Sequence, residues 1–228
     1  MNKKSLSERD ICTKFINPAL QEAGWNLRKQ VREEVSFTDG RIIVQGKLHT
    51  RGKRKRADYI LYYKPNIPIA IIEAKDNKHS VGSGMQQALE YADILQIPFV
   101  FTSNGDSFVF HDKTVSKEQE IGLDAFPSPQ ALWNKYLSWQ DIEEPAAQEI
   151  VAQDYYTDTS GKSPRYYQQI AVNRTIEAIS KGQDRILLVM ATGTGKTYTA
   201  FNIIWRLWKS GIKKRILFLA DRNALLTQ

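Results

Sequence analysis

The sequence has few of the residues that build covalent frameworks or soft-metal sites. Cys12 is the only cysteine among 228 residues, which excludes a disulfide scaffold and a thiolate metal site. His49, His79 and His111 are separated and lack the spacing of metal ligands. No apolar run approaches the roughly 18 residues of a transmembrane helix, and the N-terminus has no signal-peptide core. We therefore expect a cytoplasmic protein without a membrane segment.

Acidic residues are concentrated in one segment. The formal net charge is +7, and the stretch from Tyr136 to Gly161 holds six acids and no Lys or Arg, which leaves about +13 on the rest of the chain. A basic body with an acidic connector favours a polyanionic partner, and nucleic acid more than a membrane. An ordinary soluble basic protein is the alternative on charge alone. The apolar content of 42% is enough for a real core in one large domain or one and a half smaller ones.

One stretch of the first half carries candidate chemistry. The apolar run 69–72 predicts a buried strand, and Glu73 and Lys75 at its end point to the same face. Asp58 lies in a second apolar run, and the proline-containing turn 64–68 predicts a hairpin that brings Asp58 beside them. Two carboxylates can hold Mg²⁺, while an ammonium steadies water or developing charge in phosphodiester hydrolysis. A solvated strand end is the alternative interpretation.

Two helices flank this stretch in the prediction. Residues 85–96 predict a helix with Gln87 and Tyr91 on one face, either packed in the core or in contact with phosphate beside the metal. A first helix runs from a Ser7 cap to about residue 23, with a kink or break at Pro18. Glu8 either favours the dipole of that helix or supplies an extra acid to the site.

Together these residues resemble a nuclease family. Asp58, Glu73-Ala74-Lys75 and Gln87-Ala88-Leu89-Glu90-Tyr91 look like the PD-(D/E)xK nucleases, in the subgroup with a Gln-x-x-x-Tyr motif, although Ala57 replaces the proline of the family name. The resemblance implies a mixed sheet flanked by helices. It also implies Mg²⁺ held by Asp58, Glu73 and the backbone of Ala74, with Lys75, Gln87 and Tyr91 in the catalytic site.

A basic run leads into the Asp58 strand. We expect it to contact the phosphates that flank a scissile bond, although a solvated loop is the alternative. The candidate DNA contacts are Arg51, Lys53, Arg54, Lys55 and Arg56. Before this run we predict two strands, 31–37 and 41–46, joined as a hairpin by the turn 38–40. After the Glu73 strand we predict a flexible loop over 76–84, strands over 98–102 and 107–110, and a helix around 130–137.

The second half has a nucleotide-binding motif. A strand over 185–190 and a helix over 197–209 enclose Ala-Thr-Gly-Thr-Gly-Lys-Thr, whose glycines let backbone N–H groups surround phosphates at a helix N-terminus. Met190 replaces the first glycine of the usual G-x-x-x-x-G-K-[ST] pattern. We expect Lys196 to reach the β- and γ-phosphates of ATP and Thr197 to bind its Mg²⁺. The candidate ATP-binding residues are Thr192, Gly193, Thr194, Gly195, Lys196 and Thr197.

Two further stretches resemble superfamily 2 helicases. Pro164-Arg165-Tyr166-Tyr167-Gln168-Gln169 resembles their adenine-recognition element, which implies that Arg165 and Gln168 bind the nucleotide. A strand over 215–220 and the stretch 221–228 resemble motif Ia, which implies that Arg222 faces nucleic acid; a plain strand-to-helix connection is the alternative.

The order of these motifs resembles the N-terminal part of the R (HsdR) subunit of type I restriction-modification enzymes. We predict an endonuclease domain over 1–139, an acidic linker over 140–162 and the first part of a RecA-like lobe over 163–228. The resemblance implies ATP-driven DNA translocation, cleavage far from the recognised sequence, and methylation (M) and specificity (S) subunits as partners. A type III-like or stand-alone helicase–nuclease and a catalytically silent DNA-binding module are the alternatives. Since the chain has no Asp-Glu-x-His, we expect it to bind ATP weakly and not to turn it over.

Overall fold

The computed structural model describes residues 2–38, 42–45, 48–51, 53–157 and 163–219, with the backbone alone for 42–51. The chain forms two compact units, residues 1–140 and 141–228. The strands are β1 (Val31–Thr38), β2 (Ile42–Gln45), β3 (Leu48–Arg51), β4 (Arg54–Lys64), β5 (Ile67–Ala74), β6 (Phe99–Ser103), β7 (Ser107–Asp112) and β8 (Lys117–Gly122). The helices are α1 (Glu8–Ile11), α2 (Asn17–Glu22), α3 (Met85–Leu95), α4 (Pro129–Trp139), α5 (Pro145–Val151), α6 (Tyr166–Ser180) and α7 (Lys196–Lys209).

A six-stranded sheet forms the centre of the first unit. Its order is β1-β4-β5-β6-β7-β8, with β5 and β6 parallel and the other neighbours antiparallel. Parallel neighbours need a crossover connection, and α3 lies within the one between β5 and β6. The central strands are buried on both faces, so they read as continuous apolar runs instead of alternating ones. This mixed sheet flanked by helices confirms the predicted fold class of the first unit.

The N-terminal segment packs as a broken helix. Ser7 caps α1, because its hydroxyl accepts from the backbone N–H of Asp10 at 3.1 Å, as predicted. A π-helical turn, Cys12–Ile16, separates α1 from α2 and ends two residues before Pro18, whose missing N–H removes one i→i−4 hydrogen bond of a continuous helix. The interruption therefore lies where proline predicts it.

Long-range hydrogen bonds fasten this segment to the rest of the unit. Lys3 Nζ donates to the carbonyl of Gly105 at 2.9 Å, and the indole N–H of Trp25 donates to the carbonyl of Pro127 at 2.9 Å. Trp25 is 3% exposed and lies just after α2. The first helices therefore belong to the same core as the segment that follows β8.

Two details of strand pairing differ from the prediction. The predicted hairpin of the first two strands is wrong, because β1 pairs with β4 while β2 pairs with β3 in a separate two-stranded sheet. Residues 39 and 40 of the predicted turn, and residue 41 after it, lie outside the described part of the chain. The prediction also missed β8, whose residues are mostly exposed and charged. Charges on an edge strand prevent further pairing and also hide the strand from an apolar-pattern search.

Three helices are seen in the described residues of the second unit, 141–157 and 163–219. Its first helix, α5, falls inside the segment 140–162 that the sequence predicts as a linker, and Ile150 and Val151 are buried. The guanidinium of Arg206 on α7 is buried and donates to the carbonyl of Val151 at 2.6 Å and to Asn173 Oδ1 at 2.8 Å. Part of the predicted linker is therefore packed within this unit.

The strands predicted over 185–190 and 215–220 are not strands in the described residues. Neither run hydrogen-bonds to a neighbouring strand, and Leu187 and Val189 are 85% and 88% exposed. An apolar run predicts a strand only when a partner satisfies its backbone N–H and C=O groups, and none does so here among residues 163–219. Within the described ranges, no helix is long and apolar enough to cross a membrane.

Candidate active site

The candidate nuclease site lies where β4 and β5 run side by side. The antiparallel register pairs Tyr59 with Ile72, which brings Asp58 next to the end of β5. One carboxylate oxygen of Asp58, Oδ2, accepts from the backbone N–H of Ala74 at 2.8 Å. This bond fixes the Asp58 side chain across the two strands. The structure thus brings Asp58, Glu73 and Lys75 together as the hairpin predicts.

Glu73 is the most enclosed of these groups. It is 2% exposed, and its Oε1 accepts from Lys75 Nζ at 2.9 Å and from Gln87 Nε2 at 2.5 Å. Its second oxygen, Oε2, is buried and has no hydrogen-bond partner. An unpartnered buried carboxylate oxygen is costly, so it indicates a position for a ligand.

Burial dominates the ionisation of Glu73. Desolvation, helped by the negative charge of Asp58, raises the pKa of Glu73 to about 7, against the opposing effect of Lys75. Partial burial by itself acts to lower the pKa of Lys75, but its hydrogen bond to Glu73 and the charge of Glu73 outweigh it, so the net shift is upward. Lys75 is therefore held as an ammonium beside the carboxylate.

Gln87 and Tyr91 lie on one face of α3, as their spacing predicts. Gln87 Nε2 donates to the Tyr91 hydroxyl at 3.1 Å as well as to Glu73. The rings of Phe37 and Tyr91 pack edge to face, with their centroids 5.2 Å apart and an angle of 89° between the ring planes. The Gln-x-x-x-Tyr pair is thus connected directly to the carboxylate of Glu73.

Glu8 approaches this site from the N-terminal segment. Partial burial raises the pKa of Glu8, and the charge of Asp58 raises it further, while Lys75 and Arg56 act in the opposite direction. The reciprocal capping bonds at the start of α1 are made by Ser7 and Asp10, and not by Glu8. Glu8 therefore makes none of the capping bonds, and a role as an extra acid of the site stays a prediction.

The candidate DNA contacts differ in exposure and in ion pairing. Lys53, Arg54 and Arg56 are exposed, whereas the Lys55 side chain is 15% exposed and pairs with Glu90. Arg56 lies 3.7 Å from Glu34, and its charge acts to lower the pKa of Glu8. Of the two remaining candidates, Arg51 is described by its backbone alone and Arg222 lies outside the described residues.

Gly84 is a residue of the site that the sequence prediction missed. It precedes α3 with a φ of 95°, and a Cβ placed on it would lie 3.1 Å from both Glu73 Cγ and Lys75 Cε. Two neighbouring polar side chains fasten the loop 76–84, since Thr102 Oγ1 donates to the carbonyl of Val81 at 2.7 Å and Asn104 Nδ2 to that of His79 at 2.8 Å. The sequence signal that could have identified Gly84 is its position directly before a predicted helix.

The glycine-rich loop of the second unit forms a turn at the start of α7. Gly193 and Gly195 have φ angles of 78° and 84°, and α7 begins at Lys196 with Thr197 in its first turn. Lys196 Nζ donates to the carbonyl of Met190 at 3.2 Å. Backbone N–H groups at such a helix N-terminus form an anion-binding position. Thr192 is exposed, and the Thr194 hydroxyl donates to the carbonyl of Ala191 at 2.6 Å.

Gln168 connects the predicted adenine element to this loop. It is buried, its Oε1 accepts from the backbone N–H of Arg165 at 2.8 Å, and its Nε2 donates to the carbonyl of Thr194 at 2.8 Å. The Arg165 side chain is exposed and donates to the hydroxyl of Tyr167 at 2.9 Å. The residues predicted to bind ATP therefore lie around one loop.

Comparison with known proteins matches both units. Residues 27–127 match the family model described as "Type I restriction enzyme R protein N terminus (HSDR_N)", and residues 161–228 match "Type III restriction enzyme, res subunit". The chain is 57% identical over 232 residues to the "Type I restriction enzyme EcoAI endonuclease subunit" of Escherichia coli, an alignment that covers 100% of this chain and 28% of that one. The chain therefore matches the N-terminal region of the HsdR subunits of type I restriction enzymes.

Two further relatives agree with the HsdR assignment. The chain is 29% identical over 285 residues to the "Type I restriction enzyme EcoKI endonuclease subunit" of Escherichia coli strain K12, covering 98% of this chain and 23% of that one. A solved fragment described as an HsdR subunit of a type I restriction enzyme from Vibrio vulnificus YJ016 has a TM-score of 0.77 and 40% identity, and covers 90% of this chain and 38% of that one. The chain spans about a quarter of the length of the curated HsdR relatives that it matches.

Proposed function

We propose that this chain supplies the DNA-cleaving and ATP-binding parts of a type I restriction subunit. Double-stranded DNA is the substrate, ATP and Mg²⁺ are the cofactors, and the M and S subunits are the partners. In the complete subunit, ATP-driven translocation is coupled to phosphodiester hydrolysis. The observation that carries the cleavage part is Glu73, buried between Lys75 and Gln87 with one oxygen left unpartnered.

The residues at the end of β5 fit a hard divalent cation. Glu73 Oε2 has no protein partner, and Asp58 has a second oxygen beyond the one that accepts from Ala74. Mg²⁺ prefers oxygen ligands and keeps several waters, so two carboxylates and the backbone carbonyl of Ala74 suffice. The described residues contain no group of three His, Cys, Asp or Glu side chains placed to hold a metal ion, so water would complete the coordination by these two carboxylates. A bound Mg²⁺ would supply charge stabilisation for the phosphoryl group and a water of lowered pKa.

Side chains and backbone groups of the protein orient the two carboxylates and supply positive charge for the phosphate. The Ala74 N–H holds Asp58, while Lys75 and Gln87 both donate to Glu73 Oε1 and direct the Oε2 atom to a ligand. Because its pKa is raised, Lys75 remains an ammonium that can stabilise the charge developing on phosphate oxygens. Lys53 just before β4, and Arg54 and Arg56 at its start, are exposed and would meet the flanking phosphates.

The glycine-rich loop binds ATP in this proposal. Backbone N–H groups at the start of α7 face the phosphates, Lys196 neutralises their charge, and Thr197 holds the Mg²⁺ that accompanies ATP. Gln168, already fixed against the loop by Thr194, reads the adenine. The match of the whole chain to the EcoAI subunit favours the type I assignment over a type III-like enzyme.

The test separates cleavage from ATP hydrolysis in the assembled enzyme. Asp58→Ala, Glu73→Ala and Lys75→Ala should each lower the DNA cleavage rate by about 10³-fold or more while the ATPase rate stays within about two-fold. Glu22→Gln changes an exposed acid of α2 and serves as the control. Joint loss of both activities from Lys75→Ala would show that this lysine is structural. Unchanged Mg²⁺ affinity in Asp58→Asn would favour a silent DNA-binding module.

A further inference from the structure

Lys55 differs from the other basic residues of its strand. Its side chain is only 15% exposed, against 60% for Arg56, and its ammonium forms an ion pair with Glu90 on α3. The same ammonium lies 5.6 Å from the centroid of the Tyr91 ring. A lysine with these contacts faces α3, so its charge is already partnered within the protein.

The Tyr91 ring is enclosed by a pair of strand neighbours. Lys55 on β4 is directly opposite Phe37 on β1, and both side chains contact this ring. The phenylalanine makes an edge-to-face contact with the ring and the lysine a cation–π contact. Together they fix where the tyrosine hydroxyl lies.

That hydroxyl belongs to a chain of hydrogen bonds that ends on Glu73. Gln87 Nε2 donates to the Tyr91 hydroxyl at 3.1 Å and to Glu73 Oε1 at 2.5 Å. The amide nitrogen is therefore held between the hydroxyl and the carboxylate, and it occupies Glu73 Oε1 while Oε2 stays unpartnered. Which carboxylate oxygen is offered to a ligand thus depends on the position of Gln87.

We propose that Lys55 is a positioning residue of the cleavage site, acting through Tyr91 and Gln87 on Glu73, and that it does not contact DNA phosphate. This inference rests on the function proposed above. The ion pair alone contributes little, because Glu90 is 59% exposed. The contribution of Lys55 is orientation, transmitted from β4 across α3 to the end of β5.

The sign of the effect on Mg²⁺ binding separates orientation from charge. Removing a cation near a cation site should strengthen Mg²⁺ binding if charge alone matters. Loss of orientation should weaken it instead, and outer hydrogen-bond partners of metal ligands contribute about 10- to 100-fold in affinity. Lys55 does not touch Glu73 and acts on it only through Tyr91 and Gln87. We therefore expect a smaller effect, in which Lys55→Met weakens Mg²⁺ binding by about 3- to 10-fold.

The experiment titrates this chain with MgCl₂ by calorimetry and measures its affinity for a short duplex in CaCl₂. Lys55→Met should weaken Mg²⁺ binding and leave duplex affinity within about two-fold, and Lys55→Arg should restore it, since a guanidinium keeps both contacts. Lys53→Met, an exposed lysine of the same run, should weaken duplex affinity and leave Mg²⁺ binding unchanged. Lys55→Met that behaves like Lys53→Met overturns the proposal.

A second variant tests the route and guards against misfolding. Tyr91→Phe keeps the ring and removes the hydroxyl, so it should weaken Mg²⁺ binding as Lys55→Met does, and the double variant should lose little more. Normal Mg²⁺ binding by Tyr91→Phe would overturn the route through Gln87. If the wild-type chain binds no Mg²⁺ at all, the proposed function itself fails. If it binds Mg²⁺ and Lys55→Met binds it equally well or more tightly, only the role of Lys55 fails.

Discussion

The two units build their candidate sites in opposite ways. In the first unit, Asp58, Glu73 and Gln87 come from two strands and a helix, and hydrogen bonds between distant residues hold them in place. In the second unit, the residues from Thr192 to Thr197 follow one another along a single turn and the start of α7. A site assembled from separate elements depends on the whole core, whereas a local turn depends mainly on its own backbone geometry, here with one bond from Gln168 on α6 to Thr194.

The largest expected contrast concerns Lys196. Lys196→Ala should weaken ATP binding by about 10- to 100-fold, because a charge-assisted contact with the phosphates is lost. Mg²⁺ binding at Glu73, measured in the same protein without nucleotide, should not change, and neither should the thermal unfolding temperature. A change in Mg²⁺ affinity would show that the two sites are not independent. Fluorescent-nucleotide titration gives the affinity.

A matched pair of glycines sharpens the comparison within the first unit. Gly84 and Gly24 have similar φ angles, 95° and 89°, but a Cβ on Gly84 would crowd Glu73 and Lys75 whereas nothing lies within 4 Å of one on Gly24. Gly24→Ala should cost about 1 kcal/mol from backbone strain alone. Gly84→Ala should cost about 2–4 kcal/mol, because overpacking is added, and it should also weaken Mg²⁺ binding. Urea unfolding and Mg²⁺ titration measure both. Equal destabilisation by the two variants would mean that the Glu73 and Lys75 side chains shift to accommodate the extra methyl group without a free-energy cost.

The smallest expected effect is a pH dependence of the first unit. Because the folded pKa of Glu73 is raised to about 7, its contribution to stability is present at low pH and is lost as pH rises through that value. Mg²⁺ binds the ionised form, so it should raise the unfolding temperature by a few degrees more at pH 8 than at pH 6. Glu73→Gln should abolish this difference. A Mg²⁺ effect independent of pH would show that Glu73 is already ionised at pH 6.

The sequence predicted the local parts of both sites well. The glycine-rich loop, α7, and the placement of Gln87 and Tyr91 on α3 follow from spacing alone, because consecutive residues determine them. The hairpin that joins β4 to β5 was also predicted from its turn chemistry, and it brought Asp58 to Glu73.

What the sequence did not predict depends on pairing across the chain. The partner of β1 is β4 and not β2, and no local signal distinguishes these choices. The crowding of Gly84 against Glu73 and the enclosure of Lys55 require three elements to be in place. Likewise, Arg206 reads as an ordinary surface residue of a helix, yet it is buried against α5.

The fastening of the first helices has a consequence for the order of events during synthesis. Lys3 and Trp25 bond to Gly105 and Pro127, each across 102 residues of sequence. Such contacts form late, because a long loop must close before they contribute any stability. The N-terminal segment, which carries Glu8, is therefore synthesised well before Gly105 and Pro127 and can be fastened only after they have been made. The carboxylate site is complete only after the chain has been made beyond β8.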